Sequence, residues 1–366
     1  MSWVKNLDEK VLNYLEELKK TDSEYAYYPV KSGLTDDGKK LELGFSCYAL
    51  KIFKILNQID TFSEKKIDNW AKYINSFQSN KDSFFIDNEY LKSFKNQNSF
   101  IDTTLPIKYL FNKFLNTDYK TNQTKIENYI RAETKQSVST LFEINRINEK
   151  KISTLPLSNF EINGFLNSLN WSYPWNSGAQ YSALCVFAKT QLNEKNFEDA
   201  SNALENFCNN LVNKENGLYY QGGFTTSNEV INGAMKIITG LDWLNIKVHY
   251  PEKIIDFCLN YDLPNDGCDI VDVVYVLYRC SNETDYKKKE IIKFFENVLL
   301  VIKSHLNDDG GFSYFKEKNQ THYYDVKFAE YKNQSDIHGT LLCLWAIVMI
   351  MSLTQKDYFQ YNILKP

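Results

Sequence analysis

The chain has 366 residues, a formal net charge of −4, a pI near 5.8 and 15% aromatic residues. That balance lacks the concentrated basic footprint of a nucleic-acid binder, and the lysines of Tyr286-Lys287-Lys288-Lys289 fall in an outward-facing helical pattern, so nucleic acid is excluded as a partner. Cysteines at 47, 185, 208, 258, 268, 280 and 343 include no CxxC pair and several lie on apolar helix faces, which excludes a disulfide framework and implies a reducing compartment.

From the N-terminus, Met1-Ser2-Trp3-Val4-Lys5-Asn6 leads straight into a charged amphipathic pattern without a secretory apolar region, so a soluble, cytoplasmic protein is expected. Residues 8–20 carry Val11, Leu12, Tyr14, Leu15 and Leu18, close to the i, i+3, i+4, i+7 stripe of a surface helix. Beyond them two kinds of helix alternate and no convincing strand occurs. Segments 64–76, 124–131, 197–213 and 286–305 are charged with one apolar stripe, the signature of outer helices. Segments 44–56, 103–115, 177–192, 232–244, 268–280 and 338–353 are apolar around most of their circumference and small or polar at their starts, the signature of inner ones. The longest apolar run, 341–353, is too short to span a bilayer.

About six inner–outer pairs fit the length, and no Pro/Gly/Ser linker divides them. The expectation is an all-α (α/α)6 toroid, an inner helical barrel wrapped by an outer one, forming a single domain over 1–366. An open solenoid is the competing arrangement, but the Trp/Gly/Tyr/Ala/Pro register of tetratricopeptide arrays is absent. Three connections repeat one turn chemistry: Asp36-Asp37-Gly38, Asn216-Gly217-Leu218-Tyr219 and Asp308-Asp309-Gly310-Gly311-Phe312. Glycine there is expected to supply positive φ, and the turns to be structural.

Two inner-helix starts carry polar groups that suit chemistry. Asn265-Asp266-Gly267-Cys268-Asp269 opens one and Ser335-Asp336-Ile337-His338-Gly339 opens another, where His338 is one of only four histidines. Asp269 and Asp272, at i and i+3, share a helix face and suit general acid work. Arg131 and Glu133, in Arg131-Ala132-Glu133-Thr134, lie where an outer helix is expected to end; they are either substrate groups or a structural pair capped by Thr134. Lys236 is a cation in an apolar inner helix, pointing into the cavity or reaching an edge. Trp175 in Trp171-Ser172-Tyr173-Pro174-Trp175, with Tyr219-Tyr220 and Tyr323-Tyr324, is expected at one rim, where aromatic rings stack on sugar faces.

With Asp309-Gly310-Gly311-Phe312, and with Ile74-Asn75-Ser76-Phe77-Gln78 followed by Asp82-Ser83-Phe84-Phe85, the chain resembles the α/α-toroid superfamily of protein prenyltransferase β subunits and squalene/terpene cyclases. Asp266-Gly267-Cys268 and, later, His338 are similar in order and separation to the prenyltransferase zinc site. The resemblance implies zinc held by Asp266, Cys268 and His338, with the fourth position open to substrate. Two departures stand beside it. Leu259-Asn260-Tyr261-Asp262-Leu263-Pro264 supplies no diphosphate-binding cation, leaving Lys236 or Arg279 to reach in, and Asp269-Ile270-Val271-Asp272 has Val271 where the cyclase acid motif has aspartate. The resemblance implies isoprenoid transfer or cyclisation on a large, partly apolar substrate in the central cavity; a prenyltransferase would also need a partner subunit. A glycan lyase or epimerase using His, Tyr and carboxylate groups is the alternative, and a non-catalytic binding toroid the third. The candidate catalytic residues are Asp272, Asp269, His338 and Glu133, and the candidate substrate-binding residues Arg131, Trp175, Lys236 and Tyr324.

Overall fold

A computed structural model of the protein describes residues 2–4, 6–98, 120–152, 154–223, 226–354 and 361–366. The expected inner helix at 103–115 lies outside the described residues. In chain order the helices are α1 (Leu7–Leu18), α2 (Leu43–Ile55), α3 (Glu64–Asn75), α4 (Asn88–Asn98), α5 (Asn122–Glu143), α6 (Asn159–Asn167), α7 (Pro174–Gln191), α8 (Glu194–Leu211), α9 (Ser227–Leu244), α10 (Pro251–Leu259), α11 (Gly267–Ser281), α12 (Lys288–Lys303) and α13 (Ile337–Thr354).

Six of these close a ring. α2 packs on α5, α5 on α7, α7 on α9, α9 on α11, α11 on α13, and α13 back on α2. Around it stand helices with a single apolar stripe, such as α8, which buries Ala200, Ala203, Leu204, Phe207, Cys208 and Leu211, and α12, which buries Ile291, Phe294, Phe295, Val298, Leu299 and Ile302. This is the α/α toroid expected from the helix pattern. Each fully buried Leu, Ile or Phe along such a stripe contributes about 1.5–3 kcal/mol, which is what fastens the outer layer to the ring.

The ring helices run parallel, with their N-terminal ends at one mouth. Asn228 and Asn232 of α9 meet Asp269 near the start of α11, and Asp242 meets Tyr275 near the other end of the same pair. α7 and α9 approach closely because Gly233 leaves room for Pro174; a Cβ at 233 would lie 2.6 Å from the proline Cβ. α13 is apolar on every side because it is packed on several: it touches its ring neighbours α2 and α11 and the outer helix α12. By length and composition α13 could cross a membrane, contrary to the expectation from run length, yet 72% of it is buried inside the molecule, the position of a core helix.

Three sequence expectations are corrected. Segment 124–131 belongs to the inner helix α5, not to an outer one; the pattern hid this because α5 is polar where it is buried, at Glu133, Thr134, Ser137, Ser139 and Thr140. A short hairpin does occur, β1 (His322–Tyr323) against β2 (Val326–Lys327), with Tyr323 opposite Val326. Gly217 and Gly310 have φ of +77° and +88° as expected, but Gly38 is needed for contact, since a side chain there would collide with the Phe328 carbonyl.

Candidate active site

The mouth of the ring is organised by one buried carboxylate. Asp336, just before α13, accepts backbone N–H bonds from Gly339 (2.7 Å), Tyr314 (2.8 Å) and Gln320 (2.9 Å). It thereby ties the start of α13 to two points of the long connection between α12 and α13. Burial pushes its pKa up to about 6, while the three N–H donors oppose that rise. Asp309 braces the same turn, accepting from the Ser335 hydroxyl at 2.6 Å and from the Gly311 N–H at 3.2 Å.

This scaffold fixes His338. Its Nδ1 lies 3.0 Å from the Gln320 side-chain oxygen, an acceptor, so the proton sits on Nδ1 and Nε2 is left with its lone pair. The imidazole lies flat on Tyr48, with centroids 4.7 Å apart and planes within 2°, and Tyr314 approaches at 5.4 Å. Burial, and then the charge of Lys236, push its pKa down to about 3, so the ring is neutral at physiological pH. His338 keeps some solvent-accessible surface, and Nε2 makes no hydrogen bond among the described residues.

Across the mouth, the β1–β2 hairpin brings in two tyrosines. Tyr323 donates its hydroxyl to Glu133 Oε2 at 2.5 Å, using space that any side chain at Gly44 would close. Burial, opposed by the Tyr323 bond, pushes Glu133 up to about 8, making it a neutral carboxylic acid at pH 7, and its Oε1 is buried without a partner. Tyr324, at the hairpin tip, adopts φ +49°, a left-handed conformation costly for a non-glycine residue. It is half-exposed and packs edge-on against Tyr129 at 5.3 Å.

Deeper in the ring lie three lysines. Lys236 of α9 is 3.9 Å from Asp272 Oδ1 of α11. Asp272 is 1% exposed, has no hydrogen bond to either oxygen, and is pushed up to about 7 by burial, which the Lys236 charge opposes. Lys51 of α2 donates to Ser139 Oγ at 3.1 Å. Lys135 of α5 feels the charges of Lys236, Lys51 and Asp272, which belong to three other ring helices. Burial, and then Lys236 and Lys51, hold it well below the ordinary lysine range. Lys135 also retains solvent-accessible surface, so the ring encloses a wet chamber rather than a dry core.

The structure therefore gathers His338, Glu133, Tyr324, Lys236 and Asp272 around one chamber. Asp269 accepts from Asn228 (2.8 Å) and Asn232 (2.9 Å), which commits its carboxylate to the neighbouring helix. Arg131 and Glu133 do not pair: Arg131 bonds Gln180 and lies over the Phe165 ring at 4.8 Å, and Thr134 donates to the Phe85 carbonyl. Trp175 is 37% exposed at the start of α7. Tyr219 and Tyr220 are buried, Tyr219 bonding His249 and Tyr220 receiving the Asn213 and Asn216 amides, while the next residue, Gln221, donates its N–H to the Trp171 carbonyl. Of the two cations left to reach inward, Lys236 does so and Arg279 instead pairs with Asp242.

The residues named for zinc do not fit a metal. Among the described residues no three His, Cys, Asp or Glu side chains converge as a ligand set. Asp266 caps α11 through the Asp269 N–H at 3.0 Å, His338 is held by Gln320, and the Cys268 thiol is pushed up to about 12 by burial and then by Asp272.

Sequence reasoning missed Tyr48, Tyr314, Gln320, Lys51 and Lys135. The two lysines could have been found by the sign that singled out Lys236, a lone cation among apolar or small neighbours, as in Ala49-Leu50-Lys51-Ile52. Two surface clefts, of about 470 Å³ beside Glu42 and Asp87 and about 330 Å³ beside Leu300 and His305, lie away from these residues.

No protein-family model and no curated protein matches the chain. Among solved structures, one described as polysaccharide lyase BACCELL_00875 is similar over 99% of both chains, with a TM-score of 0.49 and 11% identity. Likeness of that degree bears on neither activity nor substrate, and the ring of helix contacts establishes the architecture without it.

Proposed function

We propose that this protein is an acid–base enzyme acting on an anionic glycan, of lyase or epimerase type, at the N-terminal mouth of its ring. The observation that carries the reading is His338: a neutral imidazole with its Nε2 lone pair free, held rigidly beside a wet chamber that also receives Lys236, Glu133 and Tyr324. In this reading a uronate carboxylate sits against Lys236, which acidifies the C–H bond next to it. His338 Nε2 takes that proton. The bound carboxylate offsets the Lys236 charge that helps hold His338 down, and so raises its basicity in the complex. For a lyase, the electrons of the broken C–H bond form the C=C bond as the glycosidic C–O bond breaks, and the leaving oxygen takes a proton from Tyr324. For an epimerase, a proton returns to the opposite face of the same carbon. Glu133, neutral and bonded to Tyr323, stands beside the developing negative charge as a hydrogen-bond donor.

The isoprenoid reading calls for a dry, aromatic-walled chamber or for a metal beside a diphosphate. Three lysines in a wet interior oppose a carbocation, and the ligand set does not converge. These observations favour the glycan alternative. The test is incubation with a panel of uronate-containing polysaccharides, following ultraviolet absorbance of the unsaturated product and, for epimerisation, the change in uronate composition. His338→Ala is expected to lose about 10²–10⁴-fold in rate. Turnover of none of the panel in either assay overturns the reading.

A further inference from the structure

We propose that the cleft of about 330 Å³ between the end of α12, the loop before α11 and Lys316 is a second binding site, for a small carboxylate with an apolar body and one N–H or O–H donor. The inference goes beyond the glycan reading and does not rest on it.

One buried atom sets this cleft apart from ordinary surface. His305 forms part of its wall and is 1% exposed. Its Nδ1 lies 2.8 Å from the Ser313 carbonyl, an acceptor, so the proton sits on Nδ1 and Nε2 keeps its lone pair. Burial holds the ring below the ordinary histidine range, which keeps it neutral. Nε2 is buried without a hydrogen-bond partner. A buried acceptor left unmatched calls for a physical reason, and an adjoining cleft that takes a donor supplies one.

The rest of the wall fits one kind of occupant. Leu300 is 66% exposed and Leu263 41%, so two large apolar side chains that the fold leaves in water line the same cleft. Among the described residues of the wall Lys316 is the one charge, and it makes no ion pair or hydrogen bond there. The side-chain amides of Asn265 and Asn297 are likewise uncommitted among the described residues. A lone cation suits an acid, the leucines suit apolar surface, and His305 Nε2 suits a donor. Small-molecule sites are built in this way, as concavities of about 300–1,000 Å³ with apolar walls and a few polar groups that fix orientation. The cleft of about 470 Å³ makes the contrast. Its acids are already spent within the fold: Glu42 accepts from Lys20 and Tyr73, and Asp87 from the Glu42 and Leu43 N–H groups.

The experiment is titration of the full chain with N-acetyl-L-leucine, which joins a carboxylate, an N–H and an apolar side chain in one small molecule. Calorimetry reads the affinity and imidazole NMR the His305 ring. Three controls each lack one feature: N-acetyl-L-leucinamide the carboxylate, 4-methylpentanoate the N–H, and N-acetylglycine the apolar side chain. N-acetyl-L-leucine is expected to bind in roughly the low millimolar range, as its size allows, and to shift the His305 ring signals saturably. Each control is expected to bind at least about fivefold more weakly. Leu300→Asp and Lys316→Met, both at exposed positions, are expected to melt as wild type does and to bind about tenfold more weakly, while Lys316→Arg binds as wild type. No saturable shift of the His305 ring in wild type, or affinity unchanged in both Leu300→Asp and Lys316→Met, overturns the site. Equal binding of all three controls overturns the ligand class. None of these outcomes depends on turnover of a uronate glycan, so this site and the glycan reading fail separately.

Discussion

The two ends of the helical ring are built from the same six helices and treat their polar groups in opposite ways. At the far end, Asp242 pairs with Arg279, accepts from the Tyr275 hydroxyl at 3.2 Å and has Lys365 at 4.0 Å. Residues 361–366 cross that end. Asn362 donates to the Ile55 carbonyl at 2.9 Å, the Lys365 N–H to Glu143 at 2.6 Å, and the Trp243 indole to the Pro366 carbonyl at 2.6 Å. Of this group, only Arg279 Nε lacks a partner. At the mouth, Glu133 Oε1, Asn232 Oδ1 and both Asp272 oxygens are buried and unmatched, and Tyr324 holds a costly backbone conformation. Buried polar atoms left unpaired cost about 1–3 kcal/mol each, so the mouth, with four such atoms against one, carries the greater cost. A functional site is the physical reason to keep such a cost.

That contrast can be broken from either side. The largest expected effect is on activity: His338→Ala should lower kcat by about 10²–10⁴-fold while leaving Tm close to wild type, measured on whichever uronate substrate the panel yields. The converse belongs to the far end. Asp242→Ala strands the Arg279 charge, and should cost about 3–5 kcal/mol in denaturant unfolding while leaving kcat at lower temperature unchanged. Asp336→Ala joins the two behaviours, since three N–H donors lose their acceptor. A loss of about 1–3 kcal/mol should come with a fall in kcat, as Gln320 and His338 lose their register.

The pH dependence of stability is a smaller effect with a definite sign. His338 has a folded pKa below its unfolded value, so the unfolded chain binds more protons and stability rises with pH between about 3 and 6.5. Glu133 and Asp272 have folded pKa values above theirs. The folded chain then binds more protons, and their contribution falls as pH rises from the ordinary carboxylate range towards about 8 and about 7 respectively. Above about pH 6.5 His338 no longer offsets them, and Tm should decline towards pH 8. Glu133→Gln should flatten that decline, a difference of at most about 2 kcal/mol at pH 8. Smallest of all, Ser158→Ala removes the capping box of α6, far from the mouth, and should cost about 1 kcal/mol with no change in activity.

The ring was legible where burial and hydrophobicity coincide. α2, α7, α9, α11 and α13 are apolar around most of their surface, and that pattern alone places them inside. α5 was misread for the opposite reason. Its buried positions include Glu133, Thr134, Ser137, Ser139 and Thr140, residues that a helix normally turns to water, so the hydrophobic pattern did not mark it as an inner helix. Within the site, His338 and Asp272 were visible as polar groups near inner-helix starts, and Lys236 as a lone cation in an apolar inner helix. Tyr48, Tyr314 and Gln320 were not, because they reach His338 through tertiary packing and through the hub at Asp336, and no spacing along the chain encodes that meeting. Zinc was suggested by the order Asp266, Cys268, His338, yet in three dimensions each of these side chains is turned to another task.

The most direct test of the mouth as an acid–base site is solvent deuterium exchange. Uronate oligosaccharides are incubated with the protein in D₂O, and loss of the proton next to the carboxylate is followed by NMR. Wild type is expected to exchange or eliminate that proton, His338→Ala to do neither, and Ser158→Ala to behave as wild type. Retention of the proton across the whole set with wild-type protein, or exchange that persists undiminished in His338→Ala, would contradict the account.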